Sequence, residues 1–404
     1  MIPVETALAR IVAALQPCGS ETVPVADSLG RVLAADVVAR VTQPPAAVSA
    51  MDGYAVRGAD VAQAPAELRR IGAAHAGGAF DGAVGPGECV RIFTGAPVPA
   101  GTDTVVIQEN TEADGARVRV LEATATGRHV RPAGLDFRAG DRGLAKGDVI
   151  GVRQLGLAAA MNRPWLEVAR RPRVAILATG DEIVLPGDPI GPNQIVSSNA
   201  LAIGAFVRCW GGEPVQLGIA PDRADAVQEM ARGAAGADLL VTTGGASVGE
   251  RDLVRSALAQ AGLELDFWRI AMRPGKPLMF GRVGGVPMLG LPGNPVSAMV
   301  CCVLFLRPAL LRLLGAADLA HPEIDAVLGA PLPANDQRQD YLRATLARGA
   351  GGAQVATAFA RQDSSMLSVL ARADALLMRP PGAPALPAGS RVTAMPLRQA
   401  LAGV

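Results

Sequence analysis

The chain has 404 residues, room for two to four domains at roughly 150 residues each. Its 38 basic and 37 acidic residues nearly cancel and only 3% of it is aromatic, which excludes a global field that gathers nucleic acid or an anionic membrane and leaves little on which single strands could stack. Cysteines at 18, 89, 209, 301 and 302 form no CxxC pair and no zinc spacing, so a zinc-finger framework is excluded and reduced thiols in a cytoplasm fit best.

Residues 5–16 have helical spacing, ended by Pro17 and Gly19. Glu5 and Arg10 interrupt this first apolar segment, and with no basic n-region or small-residue cleavage site a signal peptide is not expected. From about residue 22 to 150 short β-branched runs alternate with Gly/Pro turns, as at 104–107, 118–120 and the corner 145–150. From about 172 to 315 the texture changes. Apolar strands at 174–178, 238–241 and 286–291 alternate with helical stretches at 200–207 and 295–314, which predicts a parallel, three-layer α/β domain with its crevice at the strand carboxyl ends. The apolar run 296–306 is closed by Arg307-Pro308, short of the roughly twenty residues of a membrane span, and reads as a buried helix. From about 322 onward β texture returns, with hairpin signals at Ala350-Gly351-Gly352-Ala353 and Pro387-Ala388-Gly389-Ser390, and predicts a small β-barrel.

Glycine-rich turns close three of the α/β strands or runs: Thr242-Thr243-Gly244-Gly245-Ala246-Ser247-Val248-Gly249, Arg273-Pro274-Gly275-Lys276-Pro277 and Gly290-Leu291-Pro292-Gly293-Asn294-Pro295. Turns of this kind aim unpaired backbone N–H groups and helix N-termini into one crevice, the layout of an anion site, and Lys276 adds positive charge to it. Thr179-Gly180-Asp181-Glu182 sets two carboxylates at a strand end, where they serve either as hard ligands for Mg²⁺ beside a phosphate or as ordinary turn and capping acids. Ser247 through Asp252 offers a hydroxyl, backbone donors and then a carboxylate, or merely a glycine turn with an acidic first helical turn. Asn294 and Pro295 read as the cap and first residue of a helix. Neither a P-loop nor a G-x-G-x-x-G helix opening occurs. Gly245-Ala246-Ser247-Val248-Gly249 matches a nucleophile elbow, but His321 is the single histidine after it.

Taken together, residues 49–57, 91–99, 179–182, 244–252, 274–277 and 291–298 resemble the MoeA family of molybdopterin molybdenumtransferases, the bacterial counterpart of the gephyrin E domain. The match runs nearly end to end. The resemblance implies a multidomain α/β-plus-β fold: an N-terminal helix over 1–21 packed on the α/β domain, a mixed domain I from 22–40 and 141–171, an inserted β-rich domain II over 41–140, a central MogA-like α/β domain III over 172–320, and a β-barrel domain IV over 321–404. It implies that molybdate and adenylyl-molybdopterin are converted to Mo-molybdopterin and AMP with Mg²⁺, in a cytoplasmic homodimer fed by a molybdopterin adenylyltransferase.

By the same resemblance Asp52, Thr94, Asp136, Glu182, Asp222, Asp252 and Lys276 fall on catalytic positions, with Glu182 and Asp252 as the metal-side acids. Gly244, Gly245, Ser247, Gly249, Arg273, Pro292, Gly293, Asn294, Pro295, Ser297, Arg343 and Ser364 fall on substrate-binding positions, Lys276 and Arg273 as oxyanion contacts and Pro292, Pro295 and Ser297 as the frame of the molybdate pocket. Asp52 as a plain turn former, and Arg343 or Ser364 as surface residues of the barrel, are the ordinary readings of those positions. The chain departs from the family with Val48 where asparagine is usual, Arg273 where lysine is usual, and Asp363 where glycine is common. An adenylyltransferase of the MogA-like fold would share the α/β domain but lack the flanking β-rich parts. A non-catalytic scaffold would not need the acids, and a serine hydrolase would need His321.

Overall fold

The computed structural model describes residues 1–244 and 253–397. Its contacts divide the chain into two compact units, one of Met1–Ala35, Lys146–Arg153 and Trp165–Val404, the other of Asp36–Ala145 and Gln154–Pro164. In the larger unit an N-terminal helix α1 (Val4–Ala14) precedes the excursion into the smaller one.

The smaller unit is built on β1 (Gly53–Val56), β2 (Ala66–Ala74), β3 (Glu88–Ile92), β4 (Thr104–Ile107), β5 (Thr111–Asp114) and β6 (Arg117–Val120), in the order β4-β1-β3-β2-β6-β5. Period-two alternation divides its apolar side chains between the faces. Tyr54, Val56, Cys89 and Val106 pack on one side, and Ala55, Val90, Ile92 and Val105 on the other. Both faces of β1 are therefore covered, which explains why all four of its residues are buried.

In the larger unit β7 (Arg173–Thr179), α2 (Asn199–Cys209), β8 (Glu213–Ala220), α3 (Ala224–Arg232), β9 (Leu239–Thr243), α4 (Leu253–Gln260), β10 (Leu263–Trp268), β11 (Met279–Val283) and β12 (Val286–Leu291) form the α/β domain. The sheet order is β8-β7-β9-β12-β11-β10. Strands β8, β7, β9 and β12 run parallel, but β12–β11 and β11–β10 are antiparallel. The sequence-based expectation of a parallel sheet thus fails at one edge. The cause is legible in hindsight: Gly284 and Gly285, with φ of 56° and 83°, suit the two-residue turn that returns a strand beside its predecessor. Side chains alternate to opposite layers. Val174, Ile176, Leu239 and Val241 pack with α1 and α2 on one face, and Ala175, Leu177 and Leu240 with α3 and α4 on the other.

Helix α5 runs Pro295–Leu313, 19 residues of mean hydropathy 1.9, long and apolar enough to cross a membrane by length and composition, yet 83% buried within the fold as a core helix. It carries a π-turn at Cys302–Leu306. Pro308 has no N–H to give Leu304 O, its partner in a regular helix, and a ring nitrogen of His321 lies 3.4 Å from that carbonyl. Arg307 stacks over Trp210 at 4.5 Å and donates to Leu319 O. His321 is thereby committed to the packing of α5, which removes the base that a hydrolase reading needed; Ser247 lies outside the described residues.

The barrel comprises β13 (Ile324–Leu328), β14 (Gln339–Arg348), β15 (Gln354–Ala358), β16 (Ala375–Arg379) and β17 (Arg391–Pro396). Its pairs β14–β15, β15–β13, β13–β17, β17–β16 and β16–β14 close a five-strand ring. The expected hairpin at 350–353 joins β14 and β15, with Gly349 N–H donating to Ala353 O at 2.8 Å. The second signal is a turn but not a hairpin, because Leu386 bridges to Leu332 instead of pairing across it. One short strand of the α/β domain, Met272–Arg273, pairs parallel with Gln339–Asp340 at the start of β14.

Burial, with Arg307 close by, pushes the His321 ring down to about 4 from its ordinary 6.5. The unfolded chain therefore binds a proton at higher pH than the folded one, so stability is expected to fall as pH drops from about 6.5 toward 4. With allowance for partial exposure the loss attributable to this ring is about 2 kcal/mol. Urea unfolding of wild type and His321→Asn across that range checks it: the variant should show the shallower pH dependence.

Candidate functional site

In chain order β7 passes through α2 to β8 on one side of it, whereas β9 lies on the other. Connections that leave neighbouring strands in opposite directions open a crevice at their carboxyl ends. A cavity of ≈ 450 Å³ occupies that point. Its walls include Thr179 at the end of β7 and Glu182 beyond it, Ser197 to Asn199 at the start of α2, Thr243 at the end of β9 with Gly244 next to it, Pro277, and Pro292 to Pro295 with Ser297 at the start of α5.

Backbone contact sets the floor of this cavity. Gly244 has φ of 101°, and a Cβ there would stand 2.3 Å from Thr179 O, so only glycine lets β9 end beside β7. A Cβ on Gly293 would meet Gly244 Cα at 3.6 Å, which shows that the two glycine turns touch. Gly180, at φ 140°, leaves room for the Glu182 carboxylate, whose Oε2 lies 2.3 Å from where a Cβ would stand. Asn199 joins two walls: its Nδ2 donates to Thr243 Oγ1 at 2.9 Å and to Gly293 O at 2.7 Å. In the wall itself Thr179 Oγ1 is buried with no partner among the described residues.

At the start of α5 the expectation is half met. Pro295 takes the first helical turn and Asn294 the cap position, but the Asn294 side chain makes no cap bond. Its Nδ2 donates instead to Ser364 Oγ at 2.9 Å, and Val296 N–H donates to Ser364 O at 3.1 Å. A barrel loop therefore satisfies the helix amide that a cap would normally serve. Arg343 on β14 is not the surface residue of the ordinary reading, because it is 0% exposed. It donates from Nη1 to Asp363 O at 2.7 Å and from Nε to Gln362 Oε1 at 3.0 Å, while Nη2 is buried without a partner among the described residues. Burial pushes its pKa down from the ordinary arginine value.

The two cations expected at the oxyanion differ. Arg273 is ion-paired with the buried Asp340 and stands 3.6 Å from Asp336, so its charge is already matched within the protein. Arg338 and Arg273 together hold Asp336 down to about 2. Lys276 is half-buried beside the cavity residue Pro277 and has no carboxylate partner among the described residues.

Asp222 follows β8, and its N–H donates to Asp181 Oδ1 at 3.0 Å, tying the ends of β8 and β7. Asp52, Thr94 and Asp136 belong to the smaller unit. There Asp52 accepts from the Thr94 N–H at 2.7 Å and the Thr94 hydroxyl at 2.8 Å, bonds that hold its carboxyl below the usual range. The ordinary reading of Asp52 as a plain turn former misses this pairing. Asp136 is exposed and donates its N–H to Gln43 O. Gly245, Ser247, Gly249 and Asp252 lie outside the described residues. Sequence reasoning overlooked Asn199 and Gln362; the only local signal was a polar residue at a helix start and another in a loop, where amides are commonplace.

Matches to known proteins cover the same regions. Residues 2–162 match the MoeA N-terminal region (domain I and II), 175–312 the probable molybdopterin binding domain, and 325–397 the MoeA C-terminal region (domain IV). The chain is 37% identical over 396 residues to molybdopterin molybdenumtransferase 2 of Mycobacterium tuberculosis, covering 95% of this chain and 96% of that one. It is 36% identical to molybdopterin molybdenumtransferase of Nostoc over 91% of this chain and 86% of that one. A crystal structure of a molybdopterin biosynthesis MoeA protein from Pyrococcus horikoshii superposes with a TM-score of 0.82 at 30% identity, covering 99% and 100% of the two chains.

Gly244→Ala is expected to cost about 1–3 kcal/mol, since it forces both a disfavoured φ and a backbone clash. Gly293→Ala adds only an ordinary contact and should cost less. Chemical denaturation of the two variants side by side checks the order.

Proposed function

The chain belongs to the MoeA family of molybdopterin molybdenumtransferases, and on that premise we propose that it inserts molybdenum at the β7/β9 cavity, converting molybdate and adenylyl-molybdopterin to Mo-molybdopterin and AMP. The observation that carries this placement is the cavity itself, in which Glu182, two touching glycine turns and the α5 N-terminus converge. Both substrates are polyanions, and each needs its charge matched on leaving water. The α5 N-terminus lines the cavity, and by family resemblance Lys276 and Arg343 supply the positive charge for that purpose. Pro292, Pro295 and Ser297 frame the oxyanion, Ser364 holds the helix start, and Asn199 holds the walls at a fixed spacing.

Mg²⁺ forms part of the proposal. No three His, Cys, Asp or Glu side chains converge as a metal cage among the described residues. Mg²⁺ does not require one, because it is commonly held by one or two carboxylates, waters and substrate phosphates. Glu182 on the cavity wall fits that donor set, with Asp252 as the second acid by family resemblance. When bound, the ion would neutralise phosphate charge.

A homodimer completes the reading. Asp52 and Thr94 form an exposed, hydrogen-bonded pair on the smaller unit, suited to meeting a substrate held by a second copy. Leu185, Ile190, Ile195 and Leu201, between 52% and 62% exposed, follow the Glu182 loop and supply apolar surface for such a contact. The five unpaired cysteines suit a reducing cytoplasm, and a molybdopterin adenylyltransferase is the reaction class that must deliver the substrate.

Purified protein given adenylyl-molybdopterin should release AMP only with molybdate and a divalent ion, and Glu182→Ala should lower the rate about a hundredfold or more. Release that ignores molybdate would defeat the proposal. If sites are shared across a dimer, mixing inactive Asp52→Ala with inactive Lys276→Ala chains should restore part of the activity through mixed dimers, whereas strictly intrachain sites would stay dead.

A further inference from the structure

We infer that Gln362 is a positioning residue for this reaction: its carboxamide fixes the buried Arg343 guanidinium and the adjoining Ser364 turn in the pose that receives an oxyanion. The inference rests on the reading of Arg343 and Ser364 given above.

The bonding capacity of the amide is fully spent on this task. Gln362 Oε1 accepts from the Arg343 backbone N–H and from Arg343 Nε, both at 3.0 Å. Its Nε2 donates to Arg343 O at 3.0 Å and to Phe359 O at 2.9 Å. One side chain thus reads the donor and the acceptor of the Arg343 backbone together with the guanidinium, an arrangement that only a carboxamide's paired acceptor and donors can make. Arg343 Nη1 is taken by Asp363 O at 2.7 Å. With Nε and Nη1 both pinned, the guanidinium plane is fixed, and Nη2 is left buried with no partner among the described residues. Buried N–H groups are rarely left unmade, and this one belongs to the same tied segment whose Ser364 reaches the cavity residue Asn294.

The same short segment carries Ser364, whose carbonyl accepts from Val296 N–H and whose hydroxyl accepts from Asn294. Releasing Gln362 would therefore disturb the arginine and the α5 start together. Small displacements of a charge-matching group cost far more in oxyanion binding than in folding. A brace with no functional role would behave otherwise, lowering stability and the active fraction while leaving substrate affinity alone.

The full-length enzyme decides this in the AMP-release assay, with KM for molybdate, KM for adenylyl-molybdopterin, kcat and melting temperature measured for wild type, Arg343→Ala, Gln362→Met and Gln362→Glu. Gln362→Met should raise the molybdate KM about 10- to 100-fold, with the nucleotide KM changed much less. Gln362→Glu keeps an acceptor for both Arg343 donors but sets a carboxylate against the guanidinium. It should raise the molybdate KM as well, and it decides the matter if Gln362→Met does not fold. Wild-type molybdate KM in the Gln362 variants, with a raised KM in Arg343→Ala, would overturn the role of Gln362 alone. An unchanged KM in Arg343→Ala would instead remove the oxyanion reading of Arg343, and the inference with it.

Discussion

No α-helix can satisfy its own first amides, and the organisation of the larger unit follows from how α5 meets that constraint. Asn294 occupies the cap position yet spends its side chain on Ser364, while Ser364 returns its carbonyl to Val296. The partner thus comes from a loop some seventy positions later, on a different domain. The consequence is a shared boundary. The α/β domain cannot present its α5 terminus correctly unless the barrel loop is in place, and the loop is in place because Gln362 and Asp363 are tied to a buried arginine on β14.

Charge is handled by location more than by quantity. The chain is close to neutral, so no long-range field gathers anions. Arg273 is neutralised by Asp340 and Asp336, where it binds the α/β domain to the barrel, reinforcing the two-residue pairing of Met272–Arg273 with β14. Lys276 and Arg343 are not neutralised in that way among the described residues. The substitution of arginine for the family's usual lysine at 273 is intelligible here, since a planar fork can address two carboxylates at once where an ammonium is a point charge.

Much of this was legible in the sequence because it rests on local rules. Alternating strands and helices gave the three layers, the closing β texture gave the barrel, and glycine turns after strands marked the cavity. The misses are equally physical. The antiparallel edge hangs on Gly284-Gly285, a two-residue signal inside a domain whose larger pattern spoke for parallel strands. The ordinary surface reading of Arg343, set beside its family position, fails because burial of a charge depends on partners elsewhere in the chain, and its partner Gln362 sits in the loop after β15, 19 positions on. Asn199 reads as an ordinary polar residue at a helix start, and its bonds to Thr243 and Gly293 exist only once three chain segments meet. Asp52 and Thr94 were singled out separately by resemblance, and their mutual bonds became visible only in the fold.

Closure of the barrel through β14–β16 leaves no open sheet edge among its five strands, and β14 lends its first two residues to the α/β domain. Such a module is hard to lose or exchange over evolution. A gene truncated before β13 would encode an α/β domain with one unpaired strand, an unmatched Arg273 and an uncapped helix at its cavity. A transplanted barrel would have to bring both a strand in register with residues 272–273 and a loop that reaches Val296. Recombination should therefore move these two domains together.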